Sequence, residues 1–120
     1  MIRTGIDLIE VARFGSQKPE IRRRFIDRVF TEAEQAYCGD QDQHLAGRFA
    51  AKEAASKALG CGIGEISFRE AEILNDELGM PVLFLHGKAA ERAEKLGLKQ
   101  WSVSITHLKE YAAAVVVMES

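Results

Sequence analysis

The chain has 120 residues, of which 47% are hydrophobic and 28% charged, with a formal net charge of −2. That is enough for one domain around one core, and it gives no global attraction to nucleic acid or an acidic membrane surface. No apolar run approaches the ~20 residues that span a bilayer.

The opening MIRTGIDLIEV lacks the apolar block and small-residue cleavage site of a secretory leader, so a cytoplasmic protein is expected. Residues 2–12 alternate as a strand, with Ile6 and Leu8 on one face and Asp7, Ile9 and Val11 on the other. Residues 19–30 suit a helix: Pro19 fits its first turn, and Ile21, Phe25 and Val29 recur at helical spacing. Thr31 and Glu34 form a capping box that starts a second, short helix. Residues 41–44, QDQH, read as a polar linker into the alanine-rich helix GRFAAKEAASKALG (47–60), which stops at Gly60. After the glycine-rich turn GCGIGE, residues 66–74 read as a strand, NDELGMP as a turn and residues 82–86 as the hairpin partner. Residues 87–97 form a helix closed by Gly97, and QWSVSIT and AAAVVVM are two strands joined by HLKEY.

The order β-α-α-α-β-β-α-β-β predicts a single α+β domain over residues 1–120, with a largely antiparallel sheet packed against helices. The run AAAVVVM shows no alternation, which predicts burial on both faces. One small domain has little material to cover both, so a subunit interface is expected there. Cys38 and Cys61 form no CxxC and do not cluster with the three histidines, which predicts free thiols and no zinc site.

The alanine-rich helix poses the functional question. At 100° per residue, Gly47, Ala50, Ala51, Ala54 and Ala58 form a small-residue stripe that lets another backbone approach. The other half carries Arg48, Phe49, Lys52, Glu53, Ser56 and Lys57. One reading is a solvated face with an i, i+4 Glu53–Lys57 pair contributing about 0.3–0.5 kcal/mol. Asp7 favours another: aspartate is depleted in strands, its neighbours on that face are apolar, and a buried carboxylate needs a partner. Asp7 and Glu53 together offer two carboxylates, with Arg48, Lys52 and Lys57 on the same helix. That set suits Mg²⁺, which takes few carboxylates and completes its shell with water and phosphate, while the cations neutralise phosphate charge. Glycines at 60, 62 and 64 would let backbone N–H groups approach a phosphate.

Four stretches, in order, also carry a resemblance that spans essentially the whole chain. GIDLIEVARF, RFAAKEAASKALGCGIG, NDELGMP and SVSITHLKEYAAAVVV resemble the motifs of the holo-acyl carrier protein synthase family, the small phosphopantetheinyl transferases of bacterial fatty-acid synthesis. The resemblance implies transfer of the phosphopantetheine arm of coenzyme A to a serine of apo-acyl carrier protein, releasing adenosine 3′,5′-bisphosphate. By similarity, Asp7 and Glu53 would hold Mg²⁺ against the pyrophosphate, and Lys57 would stabilise the transition state or leaving group. Gly60 would allow close backbone approach, Arg48 and His107 would contact the 3′-phosphate end, and Pro81 would lie near the adenosine. His107 reads either as a phosphate donor or as a general base; with Glu53 and a water as alternatives, the base stays unassigned. Lys52 stays open between solvation and a role in the site.

The stretch KPEIRRRFIDR (18–28) is a local basic patch on an acidic chain. It reads as a solubilising face or, through the resemblance, as the surface for an acidic carrier protein. Arg13, Arg22, Arg24 and Arg28 would supply the charge and Phe25 an apolar contact. The family is trimeric with coenzyme A between subunits, which fits the doubly apolar last strand. A competing reading is a non-catalytic trimeric module for a phosphorylated ligand, which would not need two carboxylates and an aligned lysine. Nucleic-acid binding is disfavoured, because the patch is short and has little aromatic interleaving.

Overall fold

The computed structural model describes residues 1–15 and 17–120. Strand β1 (Ile2–Glu10) leads through a single turn, α1 (Ala12–Gly15), into α2 (Pro19–Val29), α3 (Glu32–Cys38) and the long α4 (Asp42–Ala58). A 3₁₀ turn (Phe68–Glu70), the hairpin β2 (Ala71–Asn75) and β3 (Pro81–Leu85), α5 (Gly87–Lys95), β4 (Gln100–His107) and β5 (Tyr111–Glu119) complete it. The sheet runs β1-β5-β4, antiparallel throughout, and β2-β3 is a separate ribbon. The Trp101 indole ties the two together by donating to the Leu83 carbonyl at 2.9 Å.

The α+β expectation holds, with local corrections. QDQH is not a linker: α4 starts at Asp42, whose carboxylate accepts a bond from Arg22 at 2.8 Å. The strand expected over 66–74 is shorter, because Ser67 and Glu70 cap each other and turn the chain into 3₁₀ before β2 begins. The α1 turn was not anticipated.

The small-residue stripe of α4 lies against the sheet. A Cβ on Gly5 of β1 would stand 1.9 Å from the Ala54 carbonyl oxygen and 2.8 Å from the Ala58 nitrogen, and one on Gly47 would stand 2.9 Å from an Ile105 methyl. Strand and helix backbones therefore nearly touch, with Ala50, Ala51, Ala54 and Ala58 buried between them. Within the single chain, β5 is buried on one face only: Ala112, Ala114, Val116 and Met118 meet α4, while Ala113, Val115 and Val117 lie on the open face. Ile6 and Leu8 of β1 share that open face, 67% and 66% exposed.

Two arginines close the far end of α4. Arg3 donates to the Ala58 carbonyl at 2.6 Å, and Arg92 donates to Leu59 at 2.7 Å and Gly60 at 3.1 Å. These are carbonyls that a helix end leaves without partners, and cations suit its negative pole.

Candidate active site

Three rows of side chains along α4 take different directions. Phe49, Glu53 and Lys57, spaced by four, face β1 and α1. Gly5 brings β1 onto the helix, so Asp7, two residues on and facing the same way, comes beside this row. The Lys57 ammonium donates to the Asp7 carboxylate at 3.2 Å and to the Ile6 carbonyl at 2.9 Å. Lys57 thus pairs across elements with Asp7 and not with Glu53, contrary to the i, i+4 reading.

No ion pair among the described residues includes Glu53. Its carboxyl is pushed above the ordinary range by partial burial and then by the charge of Asp7, against the pull of Lys57 and Arg13. Two carboxylates that repel each other, one of them unpaired, fit a divalent cation. Among the described residues no group of three or more potential ligands exists. The donor set therefore suits an ion that takes water and phosphate oxygens for the rest of its shell.

Arg13 joins this site to the basic patch. Its guanidinium lies 5.7 Å from the Phe49 ring centroid, and Phe49 packs with Phe14 and Phe25 at 5.8 Å each. Arg24 and Arg28 are exposed on α2. Arg22 is drawn inward instead, bonded to Asp42 and to the Phe14 carbonyl. Arg28 also rims a groove of ≈ 510 Å³ with Ile63, Ile66 and Phe68 in its wall.

The second row, His44 and Arg48, faces a cleft of ≈ 200 Å³ that His107 and Pro81 also line. Arg48 is only 5% exposed; it bonds the Asn75 amide oxygen, lies 4.2 Å from the Tyr37 ring centroid, and keeps its Nε buried without a partner. Arg48, Pro81 and His107 thus line one cleft. Gly60 is not among them. It has φ +70°, and a Cβ there would stand 2.3 Å from the Arg3 guanidinium, so its lack of a side chain admits the capping arginine.

Lys52, the third direction, points into the core. It is 0% exposed and donates to Glu34 at 2.8 Å, the Phe68 carbonyl at 2.9 Å and the Ala71 carbonyl at 2.8 Å. It is neither solvated nor in the cleft. Glu34 completes its capping box with Thr31 and also accepts the Ile73 amide at 2.8 Å. Sequence reasoning did not find this second use of Glu34, nor His44, Tyr37 and Asn75 in the cleft. His44 stands four residues before Arg48, a signal that the linker reading concealed.

Residues 3–116 match the 4′-phosphopantetheinyl transferase superfamily. The chain is 48% identical to a holo-[acyl-carrier-protein] synthase of Herpetosiphon aurantiacus, covering 98% of each chain. Its fold matches the Helicobacter pylori holo-[acyl-carrier-protein] synthase in complex with coenzyme A (TM-score 0.87, 35% identity, 99% of this chain and 100% of that one). It also matches the Bacillus anthracis holo-(acyl-carrier-protein) synthase in complex with CoA (3′,5′-ADP), with TM-score 0.79, 38% identity and coverage of 98% and 96%.

Proposed function

This chain belongs to the 4′-phosphopantetheinyl transferase superfamily, and from that premise we propose that it moves the 4′-phosphopantetheine group of coenzyme A onto a serine hydroxyl of apo-acyl carrier protein. The serine oxygen forms the new bond to phosphorus, the pyrophosphate bond breaks, and adenosine 3′,5′-bisphosphate leaves. The observation that carries the reading is the meeting of Asp7, Glu53 and Lys57 from two elements 50 residues apart in the chain.

In this reading Asp7 and Glu53 hold Mg²⁺. When bound, the ion screens the pyrophosphate and stabilises charge on the departing phosphate. Lys57, held by Asp7 and the Ile6 carbonyl, sets a positive charge beside the same phosphates. Arg48 and His107 take the 3′-phosphate end of coenzyme A and Pro81 borders the adenosine, as their shared cleft supports. Gly60 keeps a proposed part at the coenzyme site through close backbone approach.

The carrier protein docks on Arg13, Arg24 and Arg28, with Phe25 beneath and Arg22 holding α2 to α4. Arg13 lies against Phe49, which packs on Phe25 of the patch, and its charge acts on Glu53, so a docked serine would arrive beside the metal. The open sheet face of Ile6, Leu8, Val115 and Val117 packs against further copies of this chain in a homotrimer. The enzyme works in the cytoplasm and supplies holo-carrier protein to fatty-acid synthesis.

The test is the intact mass of apo-acyl carrier protein after incubation with this protein, coenzyme A and Mg²⁺, beside a chelated control and a Glu53→Ala control. A gain of one phosphopantetheine, absent from both controls, is expected. No gain despite measurable coenzyme A binding would instead favour the non-catalytic binding module.

A further inference from the structure

His44 lines the same cleft as Arg48 and His107 and has no part in the reaction described above. It lies in the first turn of α4, its ring stacked on Tyr37 at 5.3 Å and meeting the His107 ring edge-to-face at 6.1 Å between centroids. Its Nδ1 is buried and unpartnered, as is Nε of Arg48 one turn along.

Every element around this ring brings cations or neutral groups. Arg48 comes from α4, His107 from β4 and Tyr37 from α3; the β2–β3 hairpin supplies Asn75, Gly79 and Pro81. Among the described residues, none lining the cleft is acidic. Asp42, two residues earlier, is bonded to Arg22, and Asp76 in the turn accepts the Leu78 and Met80 amides. The α4 N-cap, Gln41, makes no side-chain cap, so the first-turn amides and the positive pole of the helix add to the field.

We infer that His44 takes up a proton when a doubly charged phosphate enters between it, Arg48 and His107, so that capture of a 3′-phosphorylated nucleotide end is proton-coupled. The inference rests on the reading of this cleft as the 3′-phosphate site. In the free protein the imidazole is held below its ordinary value by burial, then by Arg48, then by His107. A bound dianion reverses that environment: it accepts from the buried ring N–H and compensates the added charge. The pKa then rises on binding, a proton is absorbed, and affinity falls as pH climbs between the free and bound values, by up to about tenfold per pH unit.

The test is calorimetric titration of the full chain with adenosine 3′,5′-bisphosphate and, as a probe lacking the 3′-phosphate, adenosine 5′-monophosphate. It is run from pH 7 to 8, above the phosphate's own second pKa of about 6, in two buffers of different ionisation heat. The bisphosphate should bind with proton uptake and weaken as pH rises, by at most about tenfold across that unit of pH; the monophosphate should show neither effect. His44→Phe and His44→Gln should each reduce the uptake by up to one proton and flatten the pH dependence, while Arg48 still favours the bisphosphate. An NMR titration of the wild-type His44 ring needs no variant, and its midpoint should rise when the bisphosphate is added. Unchanged uptake in both variants, or an unmoved midpoint, would overturn the role of His44 while leaving the cleft's assignment standing. A wild type with no preference for the bisphosphate would defeat the cleft's assignment and this inference together.

Discussion

Lys52→Met should be among the most destabilising substitutions in the chain. The methionine nearly matches the lysine stem in volume, so the effect isolates the ammonium and its three bonds at 2.8–2.9 Å. Its loss strands the Glu34 carboxylate, itself 0% exposed, with the Thr31 and Ile73 amides as its partners among the described residues. It also removes a donor from the Phe68 and Ala71 carbonyls. Breaking one side of a buried pair costs about 3–5 kcal/mol, a large part of the ~5–15 kcal/mol that stabilises a domain. The assay is urea unfolding with an unchanged m-value. Adding Glu34→Gln removes the stranded charge, so the double variant should recover at least about 1 kcal/mol relative to additivity. A Lys52→Met cost below about 1 kcal/mol would mean that the pair's attraction only balances its desolvation, and that it does not anchor α3, α4 and β2 to one another.

Gly5→Ala places a methyl where the Ala54 carbonyl already stands. Urea unfolding should show a loss at or above the top of the ~1–3 kcal/mol overpacking range, because helix backbone cannot swing aside as a side chain can. Glu53→Gln should abolish transfer yet raise the melting temperature at pH 7 in chelator. The folded carboxyl has a raised pKa, so its favourable contribution is present below the ordinary glutamate value and is lost as pH rises through the folded one. The melting-temperature gain should therefore vanish in acid, and a gain that persists there would refute the linkage. Arg24→Glu should weaken apo-acyl carrier protein binding and reduce its salt dependence without changing coenzyme A affinity; equal loss of both, by calorimetry, would count against the docking face.

The sequence by itself determined the elements whose signals are local. The Thr31–Glu34 capping box, the Gly60 and Gly97 stops and the alternation of β1 and the β2–β3 hairpin are encoded within a few residues of where they act, and they recur in the structure. The small-residue stripe of α4 was legible for the same reason, since helical periodicity alone sorts Gly47 and its alanines onto one face. Where two local signals competed, the reading failed: polar QDQH looked like a linker although Asp42 opens α4, and β-rich residues 66–74 concealed the Ser67–Glu70 cap.

Only the tertiary structure decided where the charges of α4 go. Arg48, Lys52, Glu53 and Lys57 look alike in a helical projection, yet one enters a cleft, one the core, one an unpaired carboxylate site and one an ion pair with a strand 50 residues away. A projection gives direction but not what waits there. That depends on long-range packing: Gly5 drawing β1 onto the helix, and Glu34, Phe68 and Ala71 closing over Lys52.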